Sequence, residues 1–363
     1  MLYKRLNINR LFVIFLAGAG VLAGCGPSDF SSEAGGSVQL LLTDGPTDEF
    51  DQVNISVDTI ALLGEGESVY LLAETTSYNL LDLRNCAAML AVQHDVPVGT
   101  YSKLRLDISN IELVKFKADG SVEQTIVPKL ASGRIELNPK SQFAVAAGER
   151  LVIELDMDAE KSIQITTSGK EKYVFHPQVF VEVISDATAL LIRLTGKALN
   201  VQDDSFQLCR QGMILADTSC AQINIVSGTV VMSSDIAIAS YADVSEGDDV
   251  LVFGHLDSTT DAINAVRVFD DTTELSTFKG EFSGAVVADA IDFSITKDAV
   301  GVSSGEMLPM RPMSPAAVYD NQGKSLTANA IADGISADVI GLLLPDSITP
   351  GEIRPGMIII PVP

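Results

Sequence analysis

The residues of this chain that could do chemistry are scattered: four cysteines, three histidines and a large excess of carboxylates over basic groups. Cys25 directly follows Leu22-Ala23-Gly24 at the end of an apolar leader, so its thiol stands where an export signal ends. Cys209 and Cys220 flank a short stretch containing Gly212 and Asp217, a spacing that suits a disulfide closing a loop or hairpin in an oxidising compartment. Cys86 is then the odd thiol, and a buried, inert role is expected for it rather than a nucleophilic one. The cysteine spacing matches no zinc motif.

Asp44, Asp48 and Asp51 cluster in one expected loop and are candidate Ca²⁺ ligands, since hard oxygen donors suit that ion; no other cofactor is expected. A solvated turn held by Asp side chains is the competing reading of Thr43-Asp44-Gly45-Pro46. Asp156, Asp158 and Glu160 resemble the start of an EF-hand loop, but Lys161 stands where the turn glycine is needed. His94, His176 and His255 are each expected to be structural. No Gly-x-Ser-x-Gly stretch is expected to form a strand-to-helix elbow, and neither His-Glu-x-x-His nor a phosphate loop occurs. These residues define no catalytic constellation.

The leader fixes location better than chemistry. Lys4, Arg5 and Arg10 precede an apolar run over 11–22, the length of a signal h-region and too short to span a bilayer. With Leu22-Ala23-Gly24-Cys25 this resembles the signal of bacterial lipoproteins. The resemblance implies a signal peptide over 1–24, cleavage between Gly24 and Cys25, and lipid on Cys25. Gly26 follows where an Asp would favour the inner membrane, so the resemblance points to the outer membrane. Residues 25–36, rich in Gly, Pro and Ser, are expected to form a flexible tether.

The formal charge is −24, and removing the leader takes away three basic residues and no acidic ones. Such a field repels phosphate backbones, so nucleic acid is excluded as a partner. The expected partners are the membrane through the N-terminal lipid, and an envelope protein or a glycan. With no Trp in the chain, stacking on a sugar would fall to Tyr or Phe.

The elements that must position these groups are almost wholly strands, so the fold class is all-β. In residues 151–158, Leu151, Ile153, Leu155 and Met157 alternate with Glu154, Asp156 and Asp158, the period of a half-buried strand. Comparable runs lie at 38–42, 53–57, 101–108, 174–183, 250–254 and 262–269, separated by Gly-containing turn signals. Residues 80–92 are the one stretch expected to form a short helix.

Residues 37–187 form one expected unit. Thr43-Asp44-Gly45-Pro46, Leu80-Leu81-Asp82-Leu83, the run from Val96-Pro97-Val98-Gly99-Thr100-Tyr101 to Leu104-Arg105-Leu106, Leu155-Asp156-Met157-Asp158 and His176-Pro177 occur in that order. Together they resemble an uncharacterised domain of unknown function in bacterial exported lipoproteins, with a T-D-x-P opening and a G-x-Y-x-x-I/L-R-L strand; the resemblance implies no activity. The Pro97-x-Gly99-x-Tyr101 corner is also similar to that of prealbumin-like and carboxypeptidase-regulatory-like sandwiches, which implies that Tyr101 anchors a corner between sheets. An antiparallel, prealbumin-like β-sandwich is therefore expected over 37–187, with Tyr101, Lys103 and Arg105 on one face of their strand.

Residues 191–272 and 278–363 read as two copies of one small module. Thr195-Gly196-Lys197 answers to Ser283-Gly284-Ala285, and Val252-Phe253-Gly254 to Val339-Ile340-Gly341. Both are expected to be OB-like β-barrels, a fold that binds oligonucleotides or oligosaccharides without conferring either function by itself. The function expected is that of a non-catalytic binding or scaffolding module of the cell envelope, with a glycan- or calcium-binding surface lipoprotein as the alternative and a hydrolase with a fold-assembled site behind both.

Overall fold

The computed structural model describes residues 35–361 except 46–48, 74, 84–85, 118–120, 140–141, 166–172, 186, 210–219, 273–274, 298, 300, 312, 315, 322 and 345–350. Cys25, its leader and Asp48 lie outside the described residues. The described chain is all-β.

The first unit contains strands β1 (Gly36–Gly45), β2 (Gln52–Gly64), β3 (Val69–Leu72), β4 (Thr76–Asn79), β5 (Ala87–Val96), β6 (Gly99–Phe116) and β7 (Val122–Ile126). It continues through β8 (Lys129–Leu130), β9 (Arg134–Leu137), β10 (Phe143–Val145), β11 (Arg150–Asp158), the one-turn helix α1 (Ala159–Ser162), β12 (Ile163–Ile165), β13 (Tyr173–Phe175) and β14 (Val179–Ile184). One layer has the order β14-β11-β1-β5, the other β10-β6-β2-β3 with β4, β7 and β9 attached. Leu40, Leu42, Ile153 and Leu155 from the first layer meet Ile55, Ile60, Leu104 and Leu106 from the second in a closed core. The β1–β11 pair is parallel, so this two-layer sandwich is not antiparallel throughout.

The second unit comprises β15 (Ile192–Leu199), β16 (Ser205–Cys209), β17 (Ala221–Met232), β18 (Ile238–Ala239), β19 (Asp249–Leu256) and β20 (Ile263–Asp270). Its strands run β15-β16-β17-β20-β19, and β19 returns to β15, closing a five-stranded barrel. The third comprises β21 (Ser276–Val287), β22 (Ala290–Ile295), β23 (Met307–Met310), β24 (Ala317–Asp320), β25 (Ser325–Leu326), β26 (Ser336–Leu344) and β27 (Glu352–Ile360). It has the same order, β23-β22-β21-β26-β27, closed by β23 on β27, with β24 continuing the path of β23 along β27. Both are OB-like barrels.

The registers correct the repeat. Gly196 lies opposite Val250 and Gly280 opposite Ala337, so Gly196 corresponds to Gly280 and not to Gly284. Gly254 and Gly341 do correspond, each at a bulge between the last two barrel strands. The reason for glycine is shared: a Cβ at Gly196 or Gly280 would press on the carbonyl oxygen of Cys209 or Ser294, and at Gly254 or Gly341 on that of Asn264 or Arg354. The barrels pack through equivalent outer faces, Leu251, Phe253 and Phe269 against Ile340, Leu342, Met357 and Ile359.

Three local expectations change. Residues 80–92 do not form a helix: Leu80–Leu83 make a single 3-10 turn and Ala87–Val96 is strand β5, drawn into the sheet by pairing with β1. Residues 43–45 continue β1, so Asp44 sits in a strand opposite Met157 instead of in a turn. Tyr101 is buried with Leu104 and Leu106 rather than facing outward with Lys103 and Arg105, because a bulge at Ser102 shifts the strand's phase. Its hydroxyl donates to the carbonyl of Pro97 at 2.8 Å, and its ring stacks on Phe143. Tyr101→Phe should keep the ring packing and lose this bond. Its cost should be about 1 kcal/mol, measured as a lower urea midpoint at unchanged slope; an unchanged midpoint would remove the corner's energetic role.

Candidate functional site

The first barrel meets the sandwich through the loop between β19 and β20, residues 257–262. Asp257 shapes this loop: its Oδ1 accepts the backbone N–H groups of Thr259 and Thr260 at 2.8 Å and its Oδ2 accepts from Asn264 Nδ2 at 2.9 Å. These bonds hold its carboxyl well below the usual range, Asn264 first. The loop carbonyls are then presented to the sandwich. Arg150 Nη1 donates to the carbonyl of Asp257 at 2.7 Å and to that of Thr260, and Gln39 Nε2 donates to that of Asp261 at 2.9 Å.

An ion pair completes the clasp: His94 Nδ1 on β5 lies 3.4 Å from Asp261 Oδ2. The Asp261 hydrogen bond raises His94 above its ordinary 6.5, opposed by burial and aided by Asp95. His94, then Ser37 and Arg150, holds Asp261 below its ordinary 3.8. Beside the clasp is a cavity of about 540 Å³ whose lining includes Ser37, Ser185, Thr188, Ser258, Thr259 and Thr260, together with Glu149 and Arg150. It is within the size range of small-ligand sites, and its walls offer hydroxyl, carboxylate and guanidinium groups from both units.

A second polar centre lies where all three units meet. Arg193 at the start of β15 pairs with Asp82 in the 3-10 turn at 3.6 Å, and Lys279 of β21 donates to the carbonyl of Leu81. Two cavities of about 210 Å³ each share Asn79, Asp82 and Arg193 as a common wall. Cys86 lies buried beside them, its Sγ donating to the Asp82 carbonyl at 3.5 Å. Burial pushes its thiol up to about 12, which leaves no thiolate to act as nucleophile.

Among the described residues the sequence-nominated groups do not converge. Asp51 Oδ2 accepts the Phe116 N–H at 2.8 Å, the side chain of Asp44 and all of Asp48 lie outside what is described, and among the described residues no three His, Cys, Asp or Glu side chains are placed to hold a metal. Asp158 accepts from Lys161 N–H and caps α1. His176 is exposed beside Pro177, and His255 Nδ1 donates to the Leu190 carbonyl at 3.1 Å. Gly301-Val302-Ser303-Ser304-Gly305 has the Gly-x-Ser-x-Gly spacing, and as expected it forms no strand-to-helix elbow: it lies in a turn between β22 and β23, with Ser303 buried and strand β23 following. Cys209 and Cys220 are joined across the β16–β17 connection.

Residues 35–177, within the sandwich, are a domain of unknown function (DUF4382). The match ends just before β14, the strand that ends the β14-β11-β1-β5 layer. No curated protein and no solved structure matches the chain. The clasp was invisible in sequence, because Gln39 and Asp261 are 222 residues apart and nothing local marks either.

Two outcomes are expected. The raised His94 contributes stability that is full below its free value near 6.5 and lost as pH rises through its higher folded value; the lowered Asp261 contributes above 3.8 and loses it as pH falls through its lower folded value. Protection of the 257–262 amides, taken as the intrinsic exchange rate at each pH divided by the observed one, should therefore be greatest between those ordinary values and fall as pH rises through the raised value of His94, with His94→Gln flattening that upper limb; the same upper limb of protection in the variant would exclude His94 as its source. Secondly, Cys209 and Cys220 should resist thiol reagents until reduced, and Cys220→Ser should lower stability by about 3 kcal/mol. Labelling of both without reductant would exclude the bridge.

Proposed function

We propose that this chain is a lipid-anchored cell-envelope protein that works as a non-catalytic binding or scaffolding module. The observation that carries the reading is the construction of the body: sandwich and barrels share sheet and core, and strand β1 already begins at Gly36, within the stretch 25–36 expected to be a tether. A β body that follows a lipidated N-terminal segment suits presenting a binding surface at a membrane. The leader and Cys25 support lipidation, Gly26 supports the outer membrane, and more than one acyl chain gives stable anchoring. The strong negative charge leaves attachment to the lipid rather than to the head groups.

A second reading, glycan binding, is favoured by one feature, the hydroxyl-rich cavity at the β19–β20 loop. In OB-like barrels that loop helps to form the ligand surface. Calcium binding would rest on Asp44, Asp48 and Asp51; Asp51 Oδ2 accepts the Phe116 N–H, and the side chain of Asp44 and all of Asp48 lie outside the described residues.

In cell fractionation the wild-type chain should enter the detergent phase and Cys25→Ser should stay unprocessed or become soluble. Crosslinking in intact cells should then capture an envelope protein with the wild type and not with Cys25→Ser. Unchanged detergent partitioning of the variant would refute lipidation, and repeated crosslinking without a protein partner would move the weight to the glycan reading.

A further inference from the structure

Strand β14 (Val179–Ile184) ends the large sheet and, among the described residues, pairs on one side only, with β11. The opposite end of that sheet curls into the first barrel and the second barrel closes on itself, while the strands attached on one side only in the other sandwich layer, β3, β4, β7, β9 and β10, have five residues or fewer. The β14 sequence, Val-Phe-Val-Glu-Val-Ile, carries no Pro or Lys, the residues that blunt exposed edges. Val179 and Val181 turn inward onto the sandwich core. Phe180 is 56% exposed and Val183 41%.

The sheet face next to this edge is acidic. Glu182 stands directly opposite Glu154 on β11, and Phe180 opposite Asp156. Like charges in directly opposed positions weaken a sheet. Burial first, then Asp156 and Glu182, raise Glu154; burial first, then Asp158, raises Asp156. Thr43 Oγ1, at 3.2 Å, donates to Glu154 without neutralising it. A cation laid over this face would remove the repulsion, whereas a second copy of the chain would double it.

We propose that β14 receives an extended, basic segment of another protein as an added strand, with main-chain hydrogen bonds along the edge and Lys or Arg side chains over Glu182, Glu154 and Asp156. Strand addition of this kind draws affinity from the backbone and selectivity from alternate side chains. Phe180 supplies an aromatic face to the same cations. This names the partner class for the binding role proposed above and rests on that reading only in taking the partner to be a protein. It is tested on purified protein, so its failure leaves the anchoring experiment unaffected.

The test uses the detergent-solubilised full chain and short peptides of alternating Lys and Thr, alternating Glu and Thr, and the Lys-Thr sequence N-methylated along one backbone edge. Fluorescence anisotropy should show binding of the Lys-Thr peptide that weakens with salt, with amide protection appearing at 179–184. The Glu-Thr peptide should not bind, and the N-methylated peptide should bind about tenfold more weakly or worse. Glu182→Lys should cause a similar loss, and Glu182→Gln, which relieves the repulsion with Glu154 and adds no new charge, a smaller loss in the same direction at a melting temperature no lower than that of the wild type. Equal binding of the N-methylated peptide would reduce the contact to bulk electrostatics and overturn the proposal. So would indifference to both Glu182 variants, protection elsewhere than 179–184, or no binding of the Lys-Thr peptide.

Discussion

Strands β1 and β5 have no solvent face along most of their length, and the rest of the molecule is arranged around that fact. Val38, Leu40 and Leu42 of β1 and Leu90 of β5 point into the sandwich core. Leu41, Met89 and Val92 point the other way, into a core shared with Ile192, Leu194 and Val252 of the first barrel. Each such side chain withdraws roughly 1.5–3 kcal/mol of apolar surface from water, so separating barrel from sandwich would expose a row of them at once. Gln39, on the same strand, is fully buried and spends its amide N–H on the Asp261 carbonyl. The polar clasp therefore sets where the barrel sits, while the apolar face holds it there. The pH response of His94 and Asp261 acts on that placement, not on the cohesion of either unit.

The second barrel is attached by a different solution. Its outer strands β26 and β27 meet β19 and β20 of the first through positions related by the repeat, Ile340 answering to Phe253 and Ile359 to Phe269. A face that is apolar in one copy can serve the other, so duplication supplies both sides of the contact. Charged groups sit both within this seam and at its margin: Arg267 is buried with Nη1 on Met232 Sδ, and Arg354 Nη1 of β27 donates to the Asp235 carbonyl of the first barrel at 3.0 Å. At the margin with the sandwich Arg193 finds Asp82 and Lys279 finds a backbone carbonyl.

Much of this was legible where one residue's neighbours are its chain neighbours. The alternation over 151–158 correctly separates Ile153, Leu155 and Met157 from Glu154 and Asp156, because that strand has one core face and one polar face. The glycines at 254 and 341 aligned because a bulge demands the same small residue twice. Where a distant partner decides, local signals failed. The apolar stretch at 80–92 could not reveal that β1 would claim Ala87–Val96 as a strand, since a run buried on both faces has no period to read. Ser102 looks like any strand residue, yet its bulge turns Tyr101 inward. Gly196 was matched to Gly284 because β21 extends past the barrel into a long hairpin, and only pairing with β26 fixes the register. The clasp joins a loop to strands more than two hundred residues earlier, beyond any spacing rule.

Edges explain why acidity is placed as it is. Barrel closure removes four potential sheet edges from solvent, and the one-sided strands of the other layer, β3, β4, β7, β9 and β10, have five residues or fewer. The longest such strand among the described residues is β14, with the β-branched and aromatic composition of a sequence prone to self-association. Glu182 stands directly opposite Glu154 in the ladder, and two copies approaching edge to edge would set these like-charged pairs on one continuous face. The cross-strand arrangement that costs the isolated sheet some stability thus opposes pairing of the edge with itself. Charge of one sign on an open edge is selective by subtraction: it refuses the chain's own acidic surface, and leaves the backbone hydrogen-bonding groups of β14 available to strands of opposite charge.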